Sequence, residues 1–280
     1  MRKLGLAIMS LGLLLTFPGA ALAKAAVPLK STGSGVDISY PQCADTTSGK
    51  LPMAEPFWIV GLNGGTAKDP NACFAAEWSW AAGHLAIPLS DQPTLSMYVN
   101  TGNPGDVMPP VATWPLGPVV GDPYGGCGGA DDAACSWAYG YNRAEMDVTS
   151  AQVASPDVTN LQWWLDVETV NSWSDNLENN RADLEGMIYA FRQASPSGLV
   201  GIYSTKTMWT TIAGHVPLSD ASGLPSALYN LNEWVPGAVV LKDAERNCGL
   251  MPFAGGGRVL LTQYGDGLDI DYRCPGTALR

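Results

Sequence analysis

Two carboxylates stand two residues apart in Trp163-Trp164-Leu165-Asp166-Val167-Glu168. Side chains alternate faces along a strand, so Trp164, Asp166 and Glu168 share one face and Trp163, Leu165 and Val167 the other. At ~3.3 Å of rise per residue, the two carboxylates are about 7 Å apart. Their mutual repulsion raises at least one pKa and can hold one carboxyl protonated near neutrality. A protonated and an ionised carboxyl side by side are what glycoside hydrolysis uses. A third acid, Asp37, lies early in the chain on another strand candidate. The catalytic candidates are Glu168, Asp166 and Asp37.

Acids on separate strands need a scaffold that brings strand ends together. Strand candidates, rich in Val, Ile, Tyr and Trp and bounded by turn residues, are 36–40, 57–63, 95–100, 137–141, 162–168, 199–205, 233–235 and 259–264. Helical patterns lie between them. Leu184, Met187, Ile188 and Phe191 follow the spacing of an amphipathic helix, capped by Asn179 or Asn180 and stopped by Pro196. Segments 72–84, 143–153 and 207–214 also read as helices. Alternating strands and helices imply βαβ units, and eight strands predict a single irregular β/α TIM-type barrel over residues 36–280. An open doubly wound sheet is the competing architecture, but no glycine-rich nucleotide loop follows the first strand.

In such a barrel the site forms at the C-terminal strand ends. The polar residues expected there as substrate contacts are Asn63, Asn100, Tyr139, Tyr141, Tyr203, Trp234 and Gln263, with Asp269 and Asp271 following the last strand. Ten Trp and ten Tyr against five Phe fit a sugar ligand, because Trp and Tyr offer flat apolar faces with a polar edge. The Pro- and Gly-rich stretch 101–135 has no periodicity and reads as a long loop insertion over one barrel face.

Other chemistries lack their residues. The two histidines, His84 and His215, do not form H-E-x-x-H, and no G-x-S-x-G elbow occurs. Gly61–Gly65 and Gly255–Gly257 lack the spacing and lysine of a phosphate loop. Asp266, Asp269 and Asp271 lack EF-hand spacing, so neither metal nor cofactor is expected.

Met1-Arg2-Lys3, the apolar run Leu4–Phe17 and Ala21-Leu22-Ala23 have the layout of a secretory signal peptide over residues 1–23, followed by a polar leader, 24–35. A secreted protein with no membrane span after cleavage is expected. The net charge of −11 disfavours nucleic acid as a partner, and a monomer is expected. In an exported chain the six cysteines read as disulfides; no pair is spaced C-x-x-C. Nearness in sequence favours Cys43–Cys73, Cys127–Cys135 and Cys248–Cys274 among 15 possible pairings.

Gly35-Val36-Asp37-Ile38-Ser39, Leu165-Asp166-Val167-Glu168, Gly201-Ile202-Tyr203-Ser204 and Gln263-Tyr264 with Leu268-Asp269-Ile270-Asp271 resemble, in order, the family 25 glycoside hydrolases. These are lysozyme-type muramidases on an irregular β/α-barrel. The resemblance implies a peptidoglycan-like polysaccharide of β-1,4-linked N-acetylated sugars as partner, with Glu168 as the acid. It implies that Asp166 and Asp37 orient the N-acetyl group, that Asp269 or Asp271 supports the floor, and that Tyr203 and Trp234 line the groove. The family's second-strand motif is replaced here by Val60–Gly65, and its compact third-strand region is swollen by the 101–135 insertion. In these respects the chain looks closer to secreted glycoside-hydrolase-like domains. A glycan-binding barrel without turnover is the alternative reading.

Overall fold

The computed structural model describes residues 33–86, 95–105, 113–265 and 267–276. The expected signal peptide, leader residues 24–32 and Asp266 lie outside them.

Eight strands close into one barrel in chain order. They are β1 (Ser34–Ile38), β2 (Trp58–Gly61), β3 (Leu95–Asn100), β4 (Gln162–Asp166), β5 (Val200–Tyr203), β6 (Asn232–Ala238), β7 (Val259–Tyr264) and β8 (Ile270–Arg273). Strands β1 to β7 run parallel, and β8 runs antiparallel to both β7 and β1. The fold is thus an irregular α/β TIM-type barrel. It is stapled by Cys43–Cys73, Cys127–Cys135 and Cys248–Cys274. Strand β1 already begins at Ser34, two residues inside the expected leader.

Among the described residues six α-helices accompany the strands: α1 (Asp45–Ser48), α2 (Phe74–Gly83), α3 (Ala133–Ala154), α4 (Leu177–Ala194), α5 (Lys206–Ile212) and α6 (Leu241–Asn247). Among the described residues no helix is long and apolar enough to cross a membrane.

The expected strand 137–141 is a correction. It lies inside α3, which starts where the Asp132 side chain accepts from the Cys135 backbone N–H at 2.8 Å. Its aromatics sit at helical spacing, and Trp137 and Tyr141 stack at 5.6 Å with rings 15° apart. The true eighth strand is β8, which carries Asp271. Helix α4 also starts earlier than expected, capped by Asn176, whose side chain accepts from Glu178 N–H at 3.0 Å. Asn179 and Asn180 are buried and bond elsewhere, to Asp131 and to the Ile212 carbonyl.

The alternation read on β4 holds. Trp163, Leu165 and Val167 join the core between sheet and helices, whereas Trp164 packs inside the barrel with Ile59, Trp234 and Leu261. A Cβ on Gly201 of β5 would lie 2.4 Å from the Trp164 ring, so this barrel interior is filled by indole at the expense of a neighbouring side chain. Helices α3 and α4 pack closely at Gly140 and Gly186.

Of the insertion, residues 101–105 and 113–135 are described; Thr101, Gly102 and Pro104 line a cavity at the barrel mouth, and residues 113–132 do not line the acid pocket. Residues 113–132 pack against α3 and α4: Trp114 meets Tyr139 at 5.4 Å, and the Tyr124 hydroxyl donates to Glu185 at 2.8 Å. Their aromatic and hydroxyl groups find their partners on the helices, pinned there by Cys127–Cys135.

Candidate active site

At the C-terminal strand ends the structure encloses a pocket of about 140 Å³. Its acids are Asp37 from β1, Asp166 and Glu168 from the end of β4, and Asp269 from the turn before β8. Tyr98, Tyr203, Trp234 and Gln263 complete the lining. No Lys, Arg or His is among these residues. The rings form one cluster: Tyr203 meets Trp234 edge-on at 4.5 Å, and Tyr98 and Trp164 approach Trp234 at 6.3 and 5.8 Å.

Burial without a balancing cation raises every acid in the pocket. Burial, then the Asp269 charge, push Asp37 up to about 8, against the Gln263 amide and the neighbouring Asp271 carboxyl, which pull it down. Asp166 is held well above the usual carboxylate range by burial, then by Glu168 and Asp37, with Asn100 opposing. Glu168, half-buried, is raised by burial and by Asp269. Asp269 stands exposed at the rim, crowded from below by protein that raises its carboxyl too.

Polar groups behind the pocket fix these acids. Gln263 Nε2 donates to Asp37 Oδ2 at 2.9 Å, and the Tyr203 hydroxyl donates to Gln263 Oε1 at 2.8 Å. Asn100 Nδ2 donates to Asp166 Oδ2 at 2.6 Å, while Asp166 Oδ1 is buried with no partner. The Asn100 backbone N–H donates to Asn63 Oδ1 at 2.8 Å, and Asn63 Nδ2 donates to Asp147 Oδ1 at 3.0 Å. Glu168 is positioned through its backbone: Trp173 Nε1 donates to its carbonyl at 2.8 Å.

Of the residues singled out in the sequence, Asp37, Asp166, Glu168, Tyr203, Trp234, Gln263 and Asp269 meet in this pocket. Asn63 and Asn100 stand behind it as supports. Asp271 is fully buried on β8 beside Asp37 and Trp234, and its carboxyl is raised well above its usual range by burial and by Asp37. Tyr139 and Tyr141 are corrections: both ride on α3, and neither lines the acid pocket. Tyr139, buried, instead reaches a neighbouring cavity of about 470 Å³ shared with Gly65, Lys68, Thr101, Val170 and Asn171. That cavity borders the acid pocket, because Thr101 Oγ1 donates to the Asp166 carbonyl and the Asn171 N–H to the Glu168 carbonyl.

Sequence reading missed Tyr98 and Asp147. Tyr98 was findable, since alternation along β3 puts it on the face of Asn100. Asp147 lies on α3, 84 residues from its partner Asn63, and no local pattern links them.

Among the described residues, no three His, Cys, Asp or Glu side chains are grouped to share a metal ion. The pocket can offer a proton from a raised carboxyl, negative charge to stabilise a developing cation, and aromatic edges for a sugar ring. Compared with family models, with curated proteins and with solved structures, the chain matches none.

Proposed function

We propose that this protein is a secreted glycoside hydrolase that cleaves β-1,4-linked N-acetylated cell-wall glycan of the peptidoglycan kind. The observation that carries the reading is Glu168, half-buried and raised toward its protonated form, in one small pocket with Asp37 and Asp166 above the Trp234–Tyr203 pair. Protonated Glu168 gives its proton to the leaving glycosidic oxygen. Asp166 and Asp37, held by Asn100 and Gln263, orient the N-acetyl group as the bond breaks, and water then replaces the leaving group and returns a proton to Glu168. The ordered motif resemblance to family 25 glycoside hydrolases supports the same roles. Export is supported by the layout of residues 1–23 and by three disulfides.

A glycan-binding barrel without turnover is the second reading. Asn63 favours it: this residue, two past the end of β2, bonds Asp147 and the Asn100 backbone and does not line the pocket.

Reducing-end release from purified peptidoglycan by wild type and Glu168→Gln separates the two. Loss of a general acid lowers turnover by ~10²–10⁴-fold. The hydrolase reading expects release by wild type alone, with binding intact in both. Full release by Glu168→Gln removes the acid assignment, and binding without release by either favours the second reading.

A further inference from the structure

The insertion builds a second cavity. Gly121, Asp122 and Pro123 form one wall of a pocket of about 410 Å³ on the flank of the barrel, facing Tyr189 and Arg192 of α4 and the segment before β6. None of its lining residues belongs to the acid pocket. Leu177 opens α4 on the chain leaving the barrel mouth, and Tyr189 lies twelve residues further on, ~18 Å along the helix axis.

The walls are fixed. Glu185 accepts from the Tyr124 hydroxyl at 2.8 Å and from Ser226 Oγ at 2.7 Å, tying the insertion to the segment before β6 across α4. Cys127–Cys135 anchors the insertion to the first turn of α3. Both Glu185 oxygens are thus occupied, but other polar groups lack a full set of partners. Asp122 Oδ2 is buried with no partner. The Arg192 guanidinium has a single long contact, to the Ala227 carbonyl at 3.5 Å. The Tyr189 ring, 36% exposed, leans on Trp137 at 5.3 Å with its plane tilted 55°.

These groups suit one ligand class. The volume is within the ~300–1,000 Å³ of small-molecule sites. An aromatic face takes the apolar side of a pyranose, and the guanidinium donates to its hydroxyls. Acidic Asp122 and Asp220 oppose Arg192, which leaves no single-sign field to select an ion.

We propose that this flank pocket is a second carbohydrate-binding site, which holds a neutral sugar unit of the same polymer that enters the acid pocket. The choice of polymer rests on the function proposed above; the pocket itself does not. Two separated sites on one polysaccharide raise retention without changing the chemistry at the first.

The test titrates full-length mature protein with tetra-N-acetylchitotetraose and follows the tryptophan indole N–H signals by NMR. Trp234 reports the acid pocket and Trp137 the flank. Both signals are expected to shift in wild type. Tyr189→Ala abolishes the Trp137 response, leaves that of Trp234, and lowers retention on insoluble peptidoglycan by about tenfold, with turnover of the soluble tetrasaccharide unchanged. Tyr189→Phe, which keeps the ring, restores the Trp137 response. Arg192→Ala gives an independent loss if Tyr189→Ala folds poorly. A Trp137 signal that stays still under excess tetrasaccharide overturns the inference, whatever Trp234 does. A Trp137 shift in a protein without turnover sustains it while the hydrolase reading falls.

Discussion

Gln263 donates to Asp37 at 2.9 Å across strand β8, because Gln263 of β7 and Gly35 of β1 both pair with Asp271. The amide orientation is set on its other side, where Oε1 accepts a hydrogen bond from the Tyr203 hydroxyl at 2.8 Å. Gln263 is therefore a fixed donor that favours ionised Asp37, against the burial and the Asp269 charge that together raise it to about 8. Gln263→Leu leaves the Tyr203 hydroxyl without its acceptor and Asp37 without its donor. Removing one partner of a buried hydrogen bond costs ~1–3 kcal/mol, so kcat/KM on a soluble glycan should fall by ~5- to 100-fold. The pKa of Asp37 should rise further, which shifts to higher pH any limb of the profile that needs this carboxylate. A profile of wild-type height and shape would remove Gln263 from the machinery.

Asp269 acts on the acid from the opposite direction. Its charge raises both Glu168 and Asp37. A general acid works in its protonated form, so activity is lost as pH rises through the pKa of Glu168. Asp269→Asn removes the charge, lowers that pKa, and should move the alkaline limb of kcat/KM to lower pH. Low-pH activity should change little. An alkaline limb that stays in place would mean that a different group sets it.

Much of this arrangement is legible in the sequence, for a local reason. Alternation along 163–168 separates core from pocket with no knowledge of the rest of the chain, and the nearest cysteines do pair. Where reading failed, a short pattern had two meanings. The run 137–141 has the aromatics of a strand, but Asp132 and the alanines that follow it start a helix there. Strand β8 was hidden because it is only four residues long, follows a glycine turn and runs against its neighbours. The Asp147–Asn63–Asn100–Asp166 chain was out of reach because each link joins residues on different elements, which only the pairing of neighbouring strands and the packing of α3 bring together.

Gly186 carries the packing of α3 on α4. A Cβ at this position would lie 2.1 Å from the Trp137 carbonyl oxygen, which is helix backbone and cannot swing aside. Gly186→Ala gains a little helix propensity, under ~1 kcal/mol, but forces the helices apart. Overpacking of this kind costs ~1–3 kcal/mol or more, and the net effect should be a clear fall in the urea midpoint. An unchanged midpoint would show that the two helices can separate freely.

Stability should decline as pH rises, because several buried acids hold their protons in the fold. Burial raises Asp147 to about 7, despite Arg143 and the Asn63 donor, and raises Glu233 to about 7. Asp183, with both oxygens buried and unpartnered, is raised well above the usual carboxylate range by burial. In the unfolded chain such groups titrate near ~4. The native state therefore binds more protons than the unfolded chain between ~4 and about 7, and unfolding free energy falls with pH across that window. The stabilising contribution is complete below the unfolded value and is lost as pH rises through the folded one. Thermal unfolding at pH 5 and pH 8 should differ by ~5 °C or more, with the lower pH the more stable. Asp147→Asn is neutral throughout and keeps a carbonyl oxygen to accept from Asn63. It should match wild type near pH 5 and exceed it at pH 8. A Tm that rises from pH 5 to pH 8, or a variant that parallels wild type across the range, would show that Asp147 is ionised in the folded protein.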